Sequence, residues 1–210
     1  STVNRTNIAL LGVGGAGHEG GELTDSILIA SIYHPTDQIS LISIPRDAWI
    51  EQLKLKVNAV NYYGEQKEVG SGLARTKEAL ELVSGLPIHY SLLIDFSGFI
   101  KAIDAVGGIT VEVANTFDDY KYPIPGKENA EPESDRYEHV HFDAGKTQMD
   151  GVTALKYVRS RHALGVEGSD FARSSRQQKV IRAFLSKLIS KNTVFNPERI
   201  NTLKSTVSDS

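Results

Sequence analysis

The sequence predicts an α/β fold. Strand-like and helix-like runs alternate along the chain, most clearly as a strand at 90–94, a helix ending near Val106 and a strand at 109–113, the order that builds layered α/β domains. With 210 residues, 40% of them hydrophobic, one or at most two domains with an ample core are expected. No apolar run in the sequence approaches the roughly 20 residues needed to cross a bilayer.

In order, Asn7 to Leu11 reads as a short apolar strand, followed by the glycine-rich run Gly12 to Gly21. Ser26 to Tyr33 is rich in Ile and alternates as a strand does. His34-Pro35-Thr36-Asp37 has turn chemistry, and Gln38 to Ile44 is the returning strand, so 26–44 is expected to be a hairpin. Lys56 to Gly64 is expected as a short helix. Gly72 to Ser84 is a clearer amphipathic helix, stopped at Gly85-Leu86-Pro87. Tyr90 to Ile94 is a strand, Asp95 or Ser97 caps the next helix, and Gly107-Gly108 turns into Ile109 to Val113. Phe117 to Tyr137, with three prolines and little periodicity, reads as a surface loop rather than a second domain. Asp150 starts a short helix, Tyr157 to Arg161 reads as extended, and Ser169 or Asp170 caps a helix from Phe171 to about Lys191 with Val180, Ile181, Phe184, Leu185 and Leu188 buried. The tail after Asn196 is polar.

Charge singles out one segment. The chain is net −3, yet Leu155 to Arg182 holds Lys156, Arg159, Arg161, Arg173, Arg176, Lys179 and Arg182 against only Glu167 and Asp170. A locally basic stretch in an acidic protein is a candidate anion site, and the guanidinium fork suits phosphate or carboxylate. In an extended stretch Arg159 and Arg161 would share a side. Arg173 and Gln177 lie one helical turn apart. A cation at a helix N-terminus opposes the macrodipole, which makes sense where an anion sits between them. A solvated basic helix start is the plainer alternative.

Other patterns are weaker. Gly12 to Gly17 fits G-x-G-x-x-G after a strand, but a strand rather than a helix follows, so dinucleotide binding is not supported. Closing the 26–44 hairpin would bring Asp25 beside Arg46 and Asp47, either as a structural ion pair or as a site for a hard cation or a proton. His139 and His141 have the spacing to share one face of a strand, but two ligands are not a zinc site. His162 stands next to the arginines. There is no cysteine, hence no thiol nucleophile or disulfide, and neither a nucleophile elbow nor a P-loop. Overall acidity argues against nucleic acid as a partner.

Asp25-Ser26 before an aliphatic run, Pro45-Arg46-Asp47, Lys56-Val57-Asn58, Asp95-Phe96-Ser97-Gly98-Phe99 with Asp104 to Gly108, and Tyr157 to Gln177 follow one another in a single order. Together they resemble the LytR-CpsA-Psr family of cell-wall glycopolymer ligases, over about Asn7 to Ile189. The resemblance implies an α/β, layered α-β-α single domain with a central mixed sheet flanked by helices, spanning 1–210 with its core at about 7–190. It implies an Mg²⁺-dependent phosphotransferase. Such an enzyme moves a glycopolymer phosphate, of the teichoic acid or capsule kind, from a polyprenyl-pyrophosphate lipid to peptidoglycan or a related wall glycan. The implied location is the extracytoplasmic face of the bacterial membrane, with an N-terminal transmembrane anchor outside this chain. By the same resemblance Asp25, Arg46, Arg159 and Arg161 are catalytic. Arg46, Asp47, Lys56, Arg159, Arg161, Arg173, Arg176 and Gln177 bind substrate, and Asp25 is the metal ligand or the base. Gly14 stands where the family often has an acid, with Glu19 or Glu22 the candidates to replace it, and Leu23 stands where it often has Arg. A polyprenyl-phosphate-binding module without chemistry, or a pyrophosphatase, are the alternative readings.

Overall fold

The computed structural model describes residues 4–15, 21–36 and 38–189. Gly17, Glu19, Asp37 and the tail beyond Asn196 lie outside the described residues. The chain divides into two compact units between Phe96 and Ser97.

The first unit is built on a four-stranded mixed sheet in the order β3-β2-β1-β6, made of β1 (Arg5–Gly12), β2 (Ser26–Tyr33), β3 (Gln38–Ser43) and β6 (Tyr90–Ile94). β1 to β3 are antiparallel neighbours, and β6 runs parallel to β1. The expected hairpin forms, with Tyr33 opposite Gln38. The short strands β4 (Trp49–Ile50) and β5 (Leu55–Lys56) pair with each other and lead into α1 (Val60–Lys67) and α2 (Gly72–Ser84). Lys56, expected in a helix, therefore ends a strand. A single 3-10 turn, Val57–Ala59, separates it from α1. Ala9, Leu11, Ile27 and Ile29, alternate residues of β1 and β2, pack with Val57, Val60, Ala79, Leu80 and Ile88 into one buried cluster. Gly85 ends α2 in the left-handed region (φ 68°), the conformation glycine adopts without Cβ strain.

The second unit holds α3 (Phe96–Ala105, from Ser97 onward), two antiparallel ribbons and two helices. β7 (Ile109–Val113) pairs with β10 (Gly145–Met149), and β8 (Phe117–Pro123) pairs with β9 (Tyr137–Phe142). α4 is Gly151–Arg159, capped by the Asp150 carboxylate accepting from Thr153 N–H at 2.7 Å. α5 is Asp170–Ile189, with Ser169 Oγ accepting from Ala172 N–H at 3.1 Å. Phe117, Phe142 and Tyr157 form an aromatic core, with ring centroids 5.1–6.1 Å apart, and Val180 is the fully buried member of the apolar stripe on α5.

Two further expectations are corrected here. Phe117 to Tyr137 is not a surface loop: its first seven residues form β8. The strand was concealed because a bulge between Asp119 and Tyr122 resets its alternation. Tyr157 to Arg161 is not extended: α4 runs through Arg159, so Arg159 and Arg161 do not share a side by strand pleating.

Candidate functional site

The sheet of the first unit sets the site by its topology. β1 ends, β2 begins, β3 ends and β6 ends at the same edge: Gly12 pairs with both Ser26 and Ile94, and Ile44 N–H bonds Ile27 O. The residues that flank these strand ends are the Gly14-Gly15 loop, Asp25, Pro45 to Asp47 and Asp95. Gly15 has φ +80°, and a Cβ there would stand 3.1 Å from the Asp95 Cβ. Gly15 therefore lets the loop lie against the Asp95 side chain.

Asp25, Arg46, Asp47 and Lys56 form one chain of ion pairs. Arg46 Nη1 donates to Asp25 Oδ1 at 2.8 Å, Arg46 Nε stands 3.5 Å from Asp47 Oδ2, and Lys56 Nζ donates to Asp47 Oδ1 at 2.7 Å. The hydrogen bond to Asp25 raises the Arg46 pKa. The hydrogen bond from Lys56 lowers that of Asp47, with Arg46 adding to the effect, so the Arg46 and Asp47 charges are both retained at neutral pH. Main-chain bonds hold the segments together. Thr24 donates both N–H and Oγ–H to Asn58 O, Asn58 N–H bonds Arg46 O, and Val57 N–H bonds Ala48 O. Lys56-Val57-Asn58 is thus the strut between the two sides of the site. The four charged groups line an open cleft of about 640 Å³ together with Leu23, Trp49, Leu55, Tyr62 and Tyr63. The aromatic part of this wall has no sequence pattern that would have marked it. Leu23 lines the cleft where the resembling family often has Arg.

The remaining expected residues belong to the second unit. Arg159 donates to Tyr122 Oη at 3.3 Å and lies over that ring, 5.3 Å from its centroid; burial raises the Tyr122 pKa. Arg161 is exposed, and its backbone N–H is held, with that of His162, by Asp119 Oδ2 at 3.0 and 3.2 Å. Asp119 is fully buried and was hidden within the supposed loop. Its other oxygen accepts from Lys121 N–H at 3.0 Å, so it fixes the segment that presents Arg161 and His162. Arg173 pairs with Asp170 at 2.9 Å, and Gln177 is half-buried one turn further along α5.

Arg176 departs from the expected substrate-binding role. It is 2% exposed and donates to Tyr157 O, Ser160 O, Glu167 O and the Glu167 carboxylate. The planar fork that suits a phosphate is here occupied by the end of α4.

Comparison with known proteins agrees with this architecture. The LytR_cpsA_psr family model matches residues 1–209. Among its relatives, the polyisoprenyl-teichoic acid–peptidoglycan teichoic acid transferase TagU of Oceanobacillus iheyensis is 29% identical over 191 residues, 90% of this chain and 53% of TagU. The cell wall biosynthesis protein LcpA of Corynebacterium glutamicum is 26% identical, covering 100% of this chain and 41% of LcpA. The chain therefore spans about half the length of the relatives it matches. In structure, TagV of B. subtilis superposes with a TM-score of 0.66 at 25% identity, covering 98% of this chain and 72% of that one. A mixed α/β fold, an ordered set of motifs and a match over nearly every residue lead to one assignment: the chain belongs to the LytR_cpsA_psr family.

Proposed function

We propose that the protein is a phosphotransferase that moves a glycopolymer phosphate from a polyprenyl-pyrophosphate lipid to peptidoglycan or a related wall glycan. The observation that carries this reading is the cleft in which Arg46 and Lys56 stand beside Asp25 and Asp47. The naming of the TagU relative as a teichoic acid transferase supports it. The setting we propose is the extracytoplasmic face of the membrane, held there by an N-terminal transmembrane segment outside this chain. Among the described residues, no helix is long and apolar enough to cross a membrane.

Phosphoryl transfer needs clamped non-bridging oxygens and neutralised charge more than a protein nucleophile. Arg46 and Lys56 supply such donors in the cleft of the first unit, and Arg159, Arg161, Arg173 and Gln177 are the candidate donors of the second unit. In the step, an acceptor hydroxyl oxygen bonds to phosphorus, the bridging P–O bond breaks, and polyprenyl phosphate leaves with that electron pair. Asp25 is the candidate to take the hydroxyl proton when it does not hold a metal. Magnesium suits this donor set, because the ion accepts one or two carboxylates and takes its other ligands from substrate phosphates and water. Asp25, 55% exposed in its side chain, would hold it. Bound there, the ion would neutralise charge on the pyrophosphate.

The test is transfer from a lipid-linked pyrophosphate glycan to a peptidoglycan oligomer with Mg²⁺, for the protein and for Arg46→Ala and Arg159→Ala. Loss of one such donor is expected to slow transfer by about 10²–10³-fold. Absence of linked product, with both variants indistinguishable from the parent, would sink the proposal. Leu23 in the cleft wall favours a second reading, a module that holds polyprenyl phosphates without chemistry; lipid binding with no turnover would select it. Phosphate or glycan phosphate released without acceptor would instead indicate a pyrophosphatase.

A further inference from the structure

The outer face of the β8–β9 ribbon carries a side-chain cluster that the transfer reaction does not use. Asp118 lies directly across from His141, and His139 is two residues before it on the same side of β9. Both imidazoles converge on a single carboxylate oxygen: Asp118 Oδ1 is 2.7 Å from His139 Nε2 and 2.8 Å from His141 Nδ1. The three donor atoms lie within 4.8 Å of one another. Each ring is also held by a further group. His141 Nε2 stands 3.2 Å from Asp143 Oδ1, and the His139 ring stacks on Tyr120 at 4.3 Å, with the planes 6° apart.

We propose that Asp118, His139 and His141 form a surface site for a borderline divalent transition-metal ion, with Zn²⁺ the reference case. Two imidazoles and one carboxylate are a donor set that nitrogen-seeking metals take and that Mg²⁺ does not prefer. Bonds of roughly 2.0–2.2 Å to nitrogen and oxygen place tetrahedral ligand atoms roughly 3.3–3.6 Å apart. The present spacing needs only a small opening about Asp118 to admit the ion. With its proton on Nε2, donated to Asp143, His141 turns the Nδ1 lone pair toward Asp118. That is the carboxylate–histidine–metal relay that fixes the tautomer of a ligating ring. Three protein ligands leave a position for water.

The ion would tie β8 to β9. Within this unit the opposite, inward side of β8 carries Asp119, which holds the backbone of Arg161 and His162, and Tyr122, which contacts Arg159. A clamp on the ribbon would therefore stiffen the strand that positions the arginines.

The experiment is calorimetric titration of ZnCl₂ into the chelator-stripped chain, with Co²⁺ as an optical reporter. We expect one ion per chain and visible d–d absorption with Co²⁺, neither displaced by excess Mg²⁺. His139→Ala and His141→Ala should each weaken binding by about tenfold or more, and Asp143→Asn by about tenfold. His34→Gln, which removes an exposed histidine of the first unit, should change nothing. No binding up to millimolar Zn²⁺, or a His139→Ala/His141→Ala double variant that binds as the parent does, would overturn the proposal. The Co²⁺ spectrum is read on the unaltered chain, so the site is tested even where a variant folds poorly.

Discussion

Replacing Arg176 by Ala separates a structural arginine from a ligand-binding one. In the folded chain its guanidinium serves the Tyr157, Ser160 and Glu167 carbonyls and the Glu167 carboxylate, and it lies 5.0 Å from the Phe117 ring centroid. Truncation orphans buried carbonyl oxygens at about 1–3 kcal/mol each. It also removes the cation paired with the Glu167 carboxylate, whose side chain is only 12% exposed and keeps the Asn115 amide as a donor, and breaking a buried pair from one side costs about 3–5 kcal/mol. These losses share one site and do not add fully, so about 4–6 kcal/mol is expected. That is a large part of the roughly 5–15 kcal/mol of a whole domain. Arg176→Lys keeps the charge but not the fork and should cost about half as much. Urea unfolding followed by far-UV circular dichroism measures the loss, and native-state hydrogen exchange should show it concentrated in the α4 and α5 amides. A loss under about 1 kcal/mol accompanied by abolished lipid-donor binding would refute the inward reading and return Arg176 to the substrate site.

Asp119→Ala should destabilise the second unit by about 2–4 kcal/mol, since three partly buried backbone N–H groups lose their acceptor. It should also slow glycan transfer by about tenfold or more, by releasing Arg161; unchanged transfer rates would show that this segment needs no anchoring. Tyr157 gives a pH dependence. Burial pushes its pKa up to about 12 against about 10 in the unfolded chain. The folded state thus holds the proton more tightly, and the contribution is complete below pH 10 and lost as pH rises through the folded value. Relative to Tyr157→Phe, the protein should lose about 2–3 kcal/mol of unfolding free energy between pH 10 and 12. Parallel urea midpoints for the two proteins across that range would contradict it. Gly151→Ala raises helix propensity in α4 yet should destabilise by about 1–3 kcal/mol or more, because the added Cβ would stand 2.3 Å from Ile100 O; a higher melting temperature would count against that contact.

The part of the site readable in the sequence is the part set by hairpin closure. Ser26 to Tyr33 and Gln38 to Ser43 have strand composition and a turn between them. Folding one on the other leaves no choice but to bring Asp25 near Arg46. The aromatic cleft wall has no such rule, since Trp49, Tyr62 and Tyr63 come from a short strand and a helix that carry little periodicity. Asp119 was illegible for a different reason. Alternation along β8 assigns inward and outward residues only until the bulge, so an acid that faces the interior looks like one more charge in a polar stretch.

The basic segment shows why charge counting overreaches. Its arginines form one group in sequence, but the end of α4 sorts them. A helix C-terminus leaves its last carbonyls without intrahelical partners and carries a partial negative charge. Ser160 satisfies Lys156 O with its own N–H and hydroxyl, while Tyr157 O is left to a donor from elsewhere. Arg176, on the α5 face that packs against α4, is that donor, and it gathers Ser160 O and Glu167 with the same fork. The cations near the α5 N-terminus, which oppose its dipole, are then accounted for in part without any ligand. Arg176 answers the opposite pole of α4, and Arg173 is paired with Asp170. What Arg161 does is different in kind: among the described residues the fold holds it through its backbone N–H, at Asp119, and its side chain is exposed. An anion site in this segment therefore rests on Arg159, Arg161 and Arg173, and a loss of donor binding on removing Arg161 without loss of stability would distinguish it from its buried neighbour.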